Sequence, residues 1–171
     1  YLLGYMLKIR SDSNEFRKFP IISCYPRQFD VIDFEQKKFR LLNEDKKTHT
    51  LAYREDSIFL KGSFSRQIGA ISETEITHGY LLAAGCLFAP ASFVREVPYD
   101  PEFYFYGEEI SLMLRAFTRG FSIFHIPAVP VFHLYTDISD IKRKLHWDEE
   151  EDRERSIKWH EREEKSIERL S

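Results

Sequence analysis

The sequence predicts a mixed α/β protein. Three observations carry this. Residues 107–119 place Ile110, Met113, Leu114 and Phe117 at i, i+3, i+4 and i+7, one face of an amphipathic helix. Short apolar runs bounded by proline, at 19–25 and 121–134, are strand-like. Between them, residues 50–71 break into segments short enough for small antiparallel strands. With 171 residues the chain can form one domain with a sizeable core. Its 43% hydrophobic and 31% charged content suit a globular protein. A net charge of -3 argues against a nucleic-acid binder. No apolar run reaches the ~18 residues that span a bilayer, so no transmembrane segment is expected.

In chain order, residues 1–10 read as a helix, or the end of one, broken by Ser11-Asp12-Ser13-Asn14. Phe19-Pro20-Ile21-Ile22-Ser23-Cys24-Tyr25 reads as a buried strand. Residues 30–56 are polar and expected to be irregular, with Lys37, Lys38, Lys46 and Lys47 on a solvated loop or facing a phosphate. Short strands are expected at 50–53, 57–62 and 67–71. The stretch from His78 to Ala89 is the most apolar, and a core strand is expected near 80–89. Its small residues Ala83, Ala84 and Gly85 imply a close approach, by packed backbone or by a ligand such as a sugar ring. Pro90 opens a short helix over 90–97.

The run Tyr99, Phe103, Tyr104, Phe105 and Tyr106 precedes the helix at 107–119. So many rings are costly to leave in water, so they pack or wall a pocket. Gly107 is followed by Glu108 and Glu109, at the positive end of the helix dipole, while Arg115, Arg119 and Gly120 suit its other end. Favourable dipole chemistry alone accounts for the two carboxylates; a site is the functional alternative. His133 follows a strand-like run, as a structural residue or a ligand. Residues 140–171 form a charged extension, expected to be one exposed helix with pairs Glu151–Arg155 and Glu154–Lys158. Cys24 and Cys86 lie far apart in different segments and make neither a metal motif nor a disulfide framework. A reducing, cytoplasmic compartment follows.

The ordered combination Val97-Pro98-Tyr99-Asp100-Pro101, Tyr106-Gly107-Glu108-Glu109-Ile110-Ser111, Arg115-Ala116-Phe117-Thr118-Arg119-Gly120 and Val131-Phe132-His133-Leu134-Tyr135 resembles the N-acetylglucosaminyltransferase family called glycosyltransferase family 60. The resemblance covers roughly residues 20–135. It implies the C-terminal part of a GT-A-like sheet with flanking helices over 1–139, followed by the extension at 140–171. It implies transfer of N-acetylglucosamine from UDP-GlcNAc to a hydroxyl of a protein or glycan acceptor, with retention of configuration. By match to the motifs, Glu108 and Glu109 are the catalytic pair. Ala84, Gly85, Tyr106 and Gly107 contact substrate, and His133 is a ligand of Mn2+ or Mg2+, whose other ligands lie outside this chain. A hard, oxygen-preferring ion with one imidazole suits manganese.

The chain departs from the family in one respect. It has no Asp-x-Asp or Asp-x-His at a strand end, and the nucleotide-binding βαβ half is expected before Tyr1. On that expectation the chain alone is inactive and binds nucleotide weakly. An incomplete sheet would leave an open edge for self-association or a partner. Two other readings compete. One is a non-catalytic glycan- or protein-binding module on a transferase scaffold. The other is a glycoside hydrolase, which adjacent helical carboxylates suit poorly because they point about 100° apart.

Overall fold

The computed structural model describes residues 1–12, 18–42, 45–54, 67–73, 75–135 and 144–170. It is a mixed α/β fold. Its centre is a four-stranded sheet in the order β6-β8-β1-β7, made of Thr77–Gly79 (β6), Ile123–His125 (β8), Ile21–Ser23 (β1) and Leu87–Phe88 (β7). β1 runs parallel to β8 and antiparallel to β7, and β6 is antiparallel to β8. Strand alternation sorts neighbouring residues to opposite faces. Ile21 and Ile123 join one core with Leu82, Phe93, Leu112, Met113 and Ala116, while Ile22 and Phe124 join a second with Met6, Ile9, Ile126 and Val129. Helix α1 (Leu2–Asp12) therefore covers one face, and α2 (Ala91–Glu96) and α3 (Tyr106–Thr118) cover the other.

Residues 30–56 are more regular than the sequence reading expected. β2 (Arg27–Asp33) and β3 (Lys38–Leu41) form an antiparallel hairpin, with β9 (Phe132–His133) parallel to β2. The signal was the alternation of Phe29 and Val31 with polar residues, answered by Phe39 and Leu41. The Phe29 and Phe39 rings meet at 5.7 Å, and Arg40 pairs with the largely buried Asp30 at 2.8 Å. β4 (Thr48–Tyr53) pairs with β5 (Gln67–Ser72), the expected antiparallel insertion. The strand expected at 57–62 lies outside the described residues.

The core strand expected near 80–89 is not formed: β6 ends at Gly79, residues 80–86 are irregular, and only Leu87–Phe88 is a strand. The backbone leaves the sheet after Gly79 because other partners take its hydrogen bonds. Ser23 Oγ accepts the Ala83 N–H at 2.9 Å, and a turn closes from Cys86 N–H to the Ala83 carbonyl at 3.1 Å. At Gly79 a Cβ would stand 2.1 Å from His125 Nε2, so no larger residue fits. His125 is itself buried, and its Nδ1 donates to the Ser23 carbonyl at 2.7 Å. Burial keeps this imidazole's pKa below its ordinary value.

Helix α3 ends as its sequence predicts. Gly120 adopts φ 76°, its N–H bonds the Phe117 carbonyl at 2.9 Å, and the Phe121 N–H bonds the Ala116 carbonyl at 3.0 Å. Its buried face matches the expected one in part and is rotated at the C-terminal end. Ile110 and Met113 are buried as expected, with Leu112 and Ala116 beside them, whereas Leu114 is 47% and Phe117 70% exposed. The core stripe thus runs 109, 110, 112, 113, 116. The charged extension is also not one helix. It divides into α4 (Glu149–Asp152) and α5 (Trp159–Leu170). Asp152 accepts the Trp159 N–H, and Lys158 Nζ donates to the carbonyls of Asp152, Arg153 and Arg155. The expected helical ion pairs give way to these bonds: Glu151 meets Lys144 at 2.6 Å, and Arg155 bonds the His146 carbonyl. Ile167 and Leu170 pack on the α3 side of the sheet. Among the described residues no helix is long and apolar enough to cross a membrane.

Candidate functional site

The N-terminal end of α3 opens onto a cavity of about 480 Å³. The rotated stripe explains why. Glu109 sits one turn before Leu112 and Met113 on the same face, so the core-facing stripe ends in a carboxylate. Its Oε1 accepts the Ala84 N–H at 2.8 Å, and its Oε2 accepts from Gln67 Nε2 at 3.2 Å. The Ala84 amide is available because the 83–86 turn has lifted it out of the sheet. Glu108, on the neighbouring helical direction, takes a hydrogen bond from the Tyr99 hydroxyl.

Burial raises both carboxyl pKa values above the ordinary one. At Glu109 desolvation outweighs the Ala84 N–H, and the charge of Glu108 adds to the rise; at Glu108 the Tyr99 bond opposes it. Tyr99 is pushed up in turn, first by burial and then by Glu108. Two carboxyls thus sit close to one another in a partly dry site, each oriented by its own donor. Their separate partners splay them apart, as neighbouring positions on a helix must.

The cavity gathers residues from distant parts of the chain. Ala84, Gly85, Glu108, Glu109 and His133, all singled out by sequence, line it together. Gly107 is buried in the first turn of α3, its N–H bonded to the Tyr104 carbonyl at 3.4 Å. Tyr106 opens the helix, and the role expected for its side chain lies outside the described residues. At Gly85 a Cβ would approach Pro26 Cγ at 3.1 Å, so a side chain there would crowd the pocket rim.

Phe105, from the aromatic run, also lines it, and other lining residues were not singled out: Tyr25, Gln67, Tyr135, His146 and Trp147. The Tyr25 and Tyr135 rings stack at 5.4 Å, and His133 packs on Tyr135 at 4.3 Å. Phe105 has φ 49° and ψ -99°, a conformation rare for a bulky residue. Its ring meets His146 and Trp147, each at 5.0 Å. The Tyr104 hydroxyl bonds His146 Nδ1, and the Tyr104 N–H bonds the buried Ser166 Oγ at 2.7 Å. The aromatic run therefore does both things its composition allowed. Phe103 and Tyr104 pack inward, and Phe105 walls the pocket against the start of the charged extension. Tyr135 stands in a quoted motif and Tyr25 ends the strand-like run at 19–25, so both could have been found there. Gln67, in a strand with no chemical motif, gave no signal.

The donor set does not make a ready metal site. Among the described residues no three His, Cys, Asp or Glu side chains gather at one point. His133 is the one imidazole of the expected metal site that lines the pocket.

The pocket, with aromatic walls and a pair of carboxylates, is the kind of concave, partly apolar site with a few placed polar groups that binds small ligands. The chain belongs to the glycosyltransferase (GlcNAc) family, whose model matches residues 7–171. Membership makes it a transferase at the coarse level, with a sugar donor and an acceptor. No curated protein and no solved structure matches the chain.

Proposed function

We propose that this chain forms the sugar-handling part of a retaining N-acetylglucosaminyltransferase of the GT-A type, related to glycosyltransferase family 60, acting from UDP-GlcNAc on a hydroxyl of a protein or glycan. The observation that carries the reading is Glu109: a desolvated carboxylate, held by Ala84 N–H and Gln67, at the base of a pocket with Gly85 and His133.

In transfer, the bond from the anomeric carbon to the diphosphate breaks and one to the acceptor oxygen forms, while the acceptor hydroxyl passes its proton to the departing diphosphate oxygen. Positive charge develops at the sugar ring. A preoriented carboxylate in a site partly cleared of water stabilises such charge without reorganising. Glu109 fits this role and the binding of donor hydroxyls. Glu108, tethered to Tyr99, fits the acceptor side. Ala84 and Gly85 let the sugar approach the backbone. No general base is assigned, because a retaining transfer does not require one. Each of these roles falls to a residue of the chain itself. Manganese binding through His133 is a separate element of the proposal, and it requires ligands beyond the described residues. A cytoplasmic setting accords with the two unbridged thiols.

A second reading, a non-catalytic glycan- or protein-binding module, is favoured by the missing Asp-x-Asp motif in this sequence. Release of UDP from UDP-GlcNAc by the full-length protein separates the two, with and without manganese and with Glu109→Gln as control. Release that depends on Glu109 supports the transferase. No release from UDP-GlcNAc, UDP-GalNAc or UDP-glucose would leave the binding module.

A further inference from the structure

We propose that Cys24 and Cys86 form a redox-modification site, at which a hydroperoxide converts the two thiols into an intramolecular disulfide bridging β1 to the turn beside the pocket. The register carries the inference. β1 and β7 are antiparallel, with Ile22 opposite Phe88 and Ser23 opposite Leu87. The strands end there, and continuing the same register by one position brings Cys24 opposite Cys86. Directly opposed residues in an antiparallel pair have Cβ atoms ~4.5–5.5 Å apart, close to the span that a disulfide bridges. Both thiols are free and buried, Cys24 at 2% and Cys86 at 6% exposure, and both belong to one buried cluster. The fold thus brings together residues 62 positions apart, which the sequence spacing concealed.

The two sulfurs are not equivalent. Cys86 closes the turn beside the pocket and is the more exposed of the two, while Cys24 lies deeper, where the neighbouring thiol and burial raise its pKa. This placement assigns Cys86 as the nucleophile and Cys24 as the resolving thiol. The Cys86 thiolate attacks the peroxide O–O bond, giving a sulfenic acid and, with hydrogen peroxide, one water. Cys24 sulfur then attacks the Cys86 sulfur. The S–S bond forms, and the hydroxyl leaves with the Cys24 proton as a second water. Two thiols lose two electrons, and the peroxide gains them.

The bond would join two pocket walls. Cys24 precedes Tyr25 and Pro26, and Cys86 closes the turn that holds Ala84 and Gly85. That turn supplies the N–H on Glu109. The inference itself does not rest on the transferase reading, since it concerns sulfur chemistry alone.

The test treats the folded full chain with hydrogen peroxide, then counts thiols by alkylation in denaturant. The expected titre falls from two per chain to none. Non-reducing tryptic mapping should join residues 19–27 to residues 67–95 within one chain. In Cys24→Ser, dimedone should label Cys86 instead, because the sulfenic acid has no resolving thiol. Two thiols still alkylatable after treatment, or links found only between chains, would overturn the proposal.

Discussion

Helix α3 carries a cavity at each end, about 480 Å³ at its N-terminus and about 490 Å³ along its C-terminal half. The two are alike in volume and unlike in chemistry. The second is lined by Met113, Leu114, Phe117, Phe121 and Ile123 with His78 and Tyr80, and Phe117 and Tyr80 are largely exposed. Among the described residues that line it there is no carboxylate. The first holds Glu108, Glu109, His133 and the Ala84 amide. One helix thus presents apolar surface at one end and desolvated charge at the other, and only the charged end can stabilise developing charge. Room for a ligand does not make a site; convergent polar groups with fixed partners do.

The comparison breaks first at Glu109. Glu109→Gln should lower transfer by ~10²–10³-fold, the cost of removing one oriented electrostatic group, and leave the fold intact. The neutral amide keeps an oxygen for Ala84 N–H, and a flip of the Gln67 amide offers its oxygen to the new NH2. Near-normal turnover in the full-length protein would take Glu109 out of the site. At the other end, Gly79→Ala should cost about 1–3 kcal/mol of stability in urea unfolding, because its Cβ meets the buried His125 ring. An unchanged midpoint would show that His125 can move.

Next comes pH. The folded-state pKa of Glu109 lies above its ordinary 4.5, so the folded chain holds more protons than the unfolded chain as pH rises past that value. Stability contributed by the protonated form is therefore lost as pH rises through the raised pKa. Glu109→Gln lacks this loss, and its stability relative to wild type should rise from pH ~4.5 towards neutrality. A constant difference between the two proteins would contradict the desolvation argument. Tyr104→Phe should have a smaller effect, about 1 kcal/mol from the lost hydroxyl bond to His146, seen as a raised KM with kcat nearly unchanged. The smallest effect belongs to the groove. Phe117→Ser should alter stability by no more than ~0.5 kcal/mol and leave transfer unchanged.

The fold and the site were legible to different depths. The helix at 106–118, its glycine stop and the β4–β5 pairing follow from local chemistry, and sequence shows local chemistry well. Glu108, Glu109, Ala84, Gly85 and His133 were found through ordered motifs and do line one pocket. What the sequence hid was set by tertiary contacts. Leu114 and Phe117 fit an apolar face by spacing, yet Leu112 and Ala116 take the buried positions beside Met113. The apolar run near 80–89 promised a strand, but Ser23 and Glu109 draw its amides away. Gln67 and Trp147 reach the pocket from segments whose own patterns say nothing of it, and the Cys24–Cys86 juxtaposition exists only through strand register.

The most direct measurement is a calorimetric titration of UDP-GlcNAc into the full-length protein with manganese, comparing wild type, Glu109→Gln and Phe117→Ser. If the carboxylate pocket holds the donor sugar, Glu109→Gln weakens binding at least tenfold and Phe117→Ser leaves it unchanged. Unaltered affinity in Glu109→Gln together with weakened affinity in Phe117→Ser would place the ligand in the apolar groove and contradict the account.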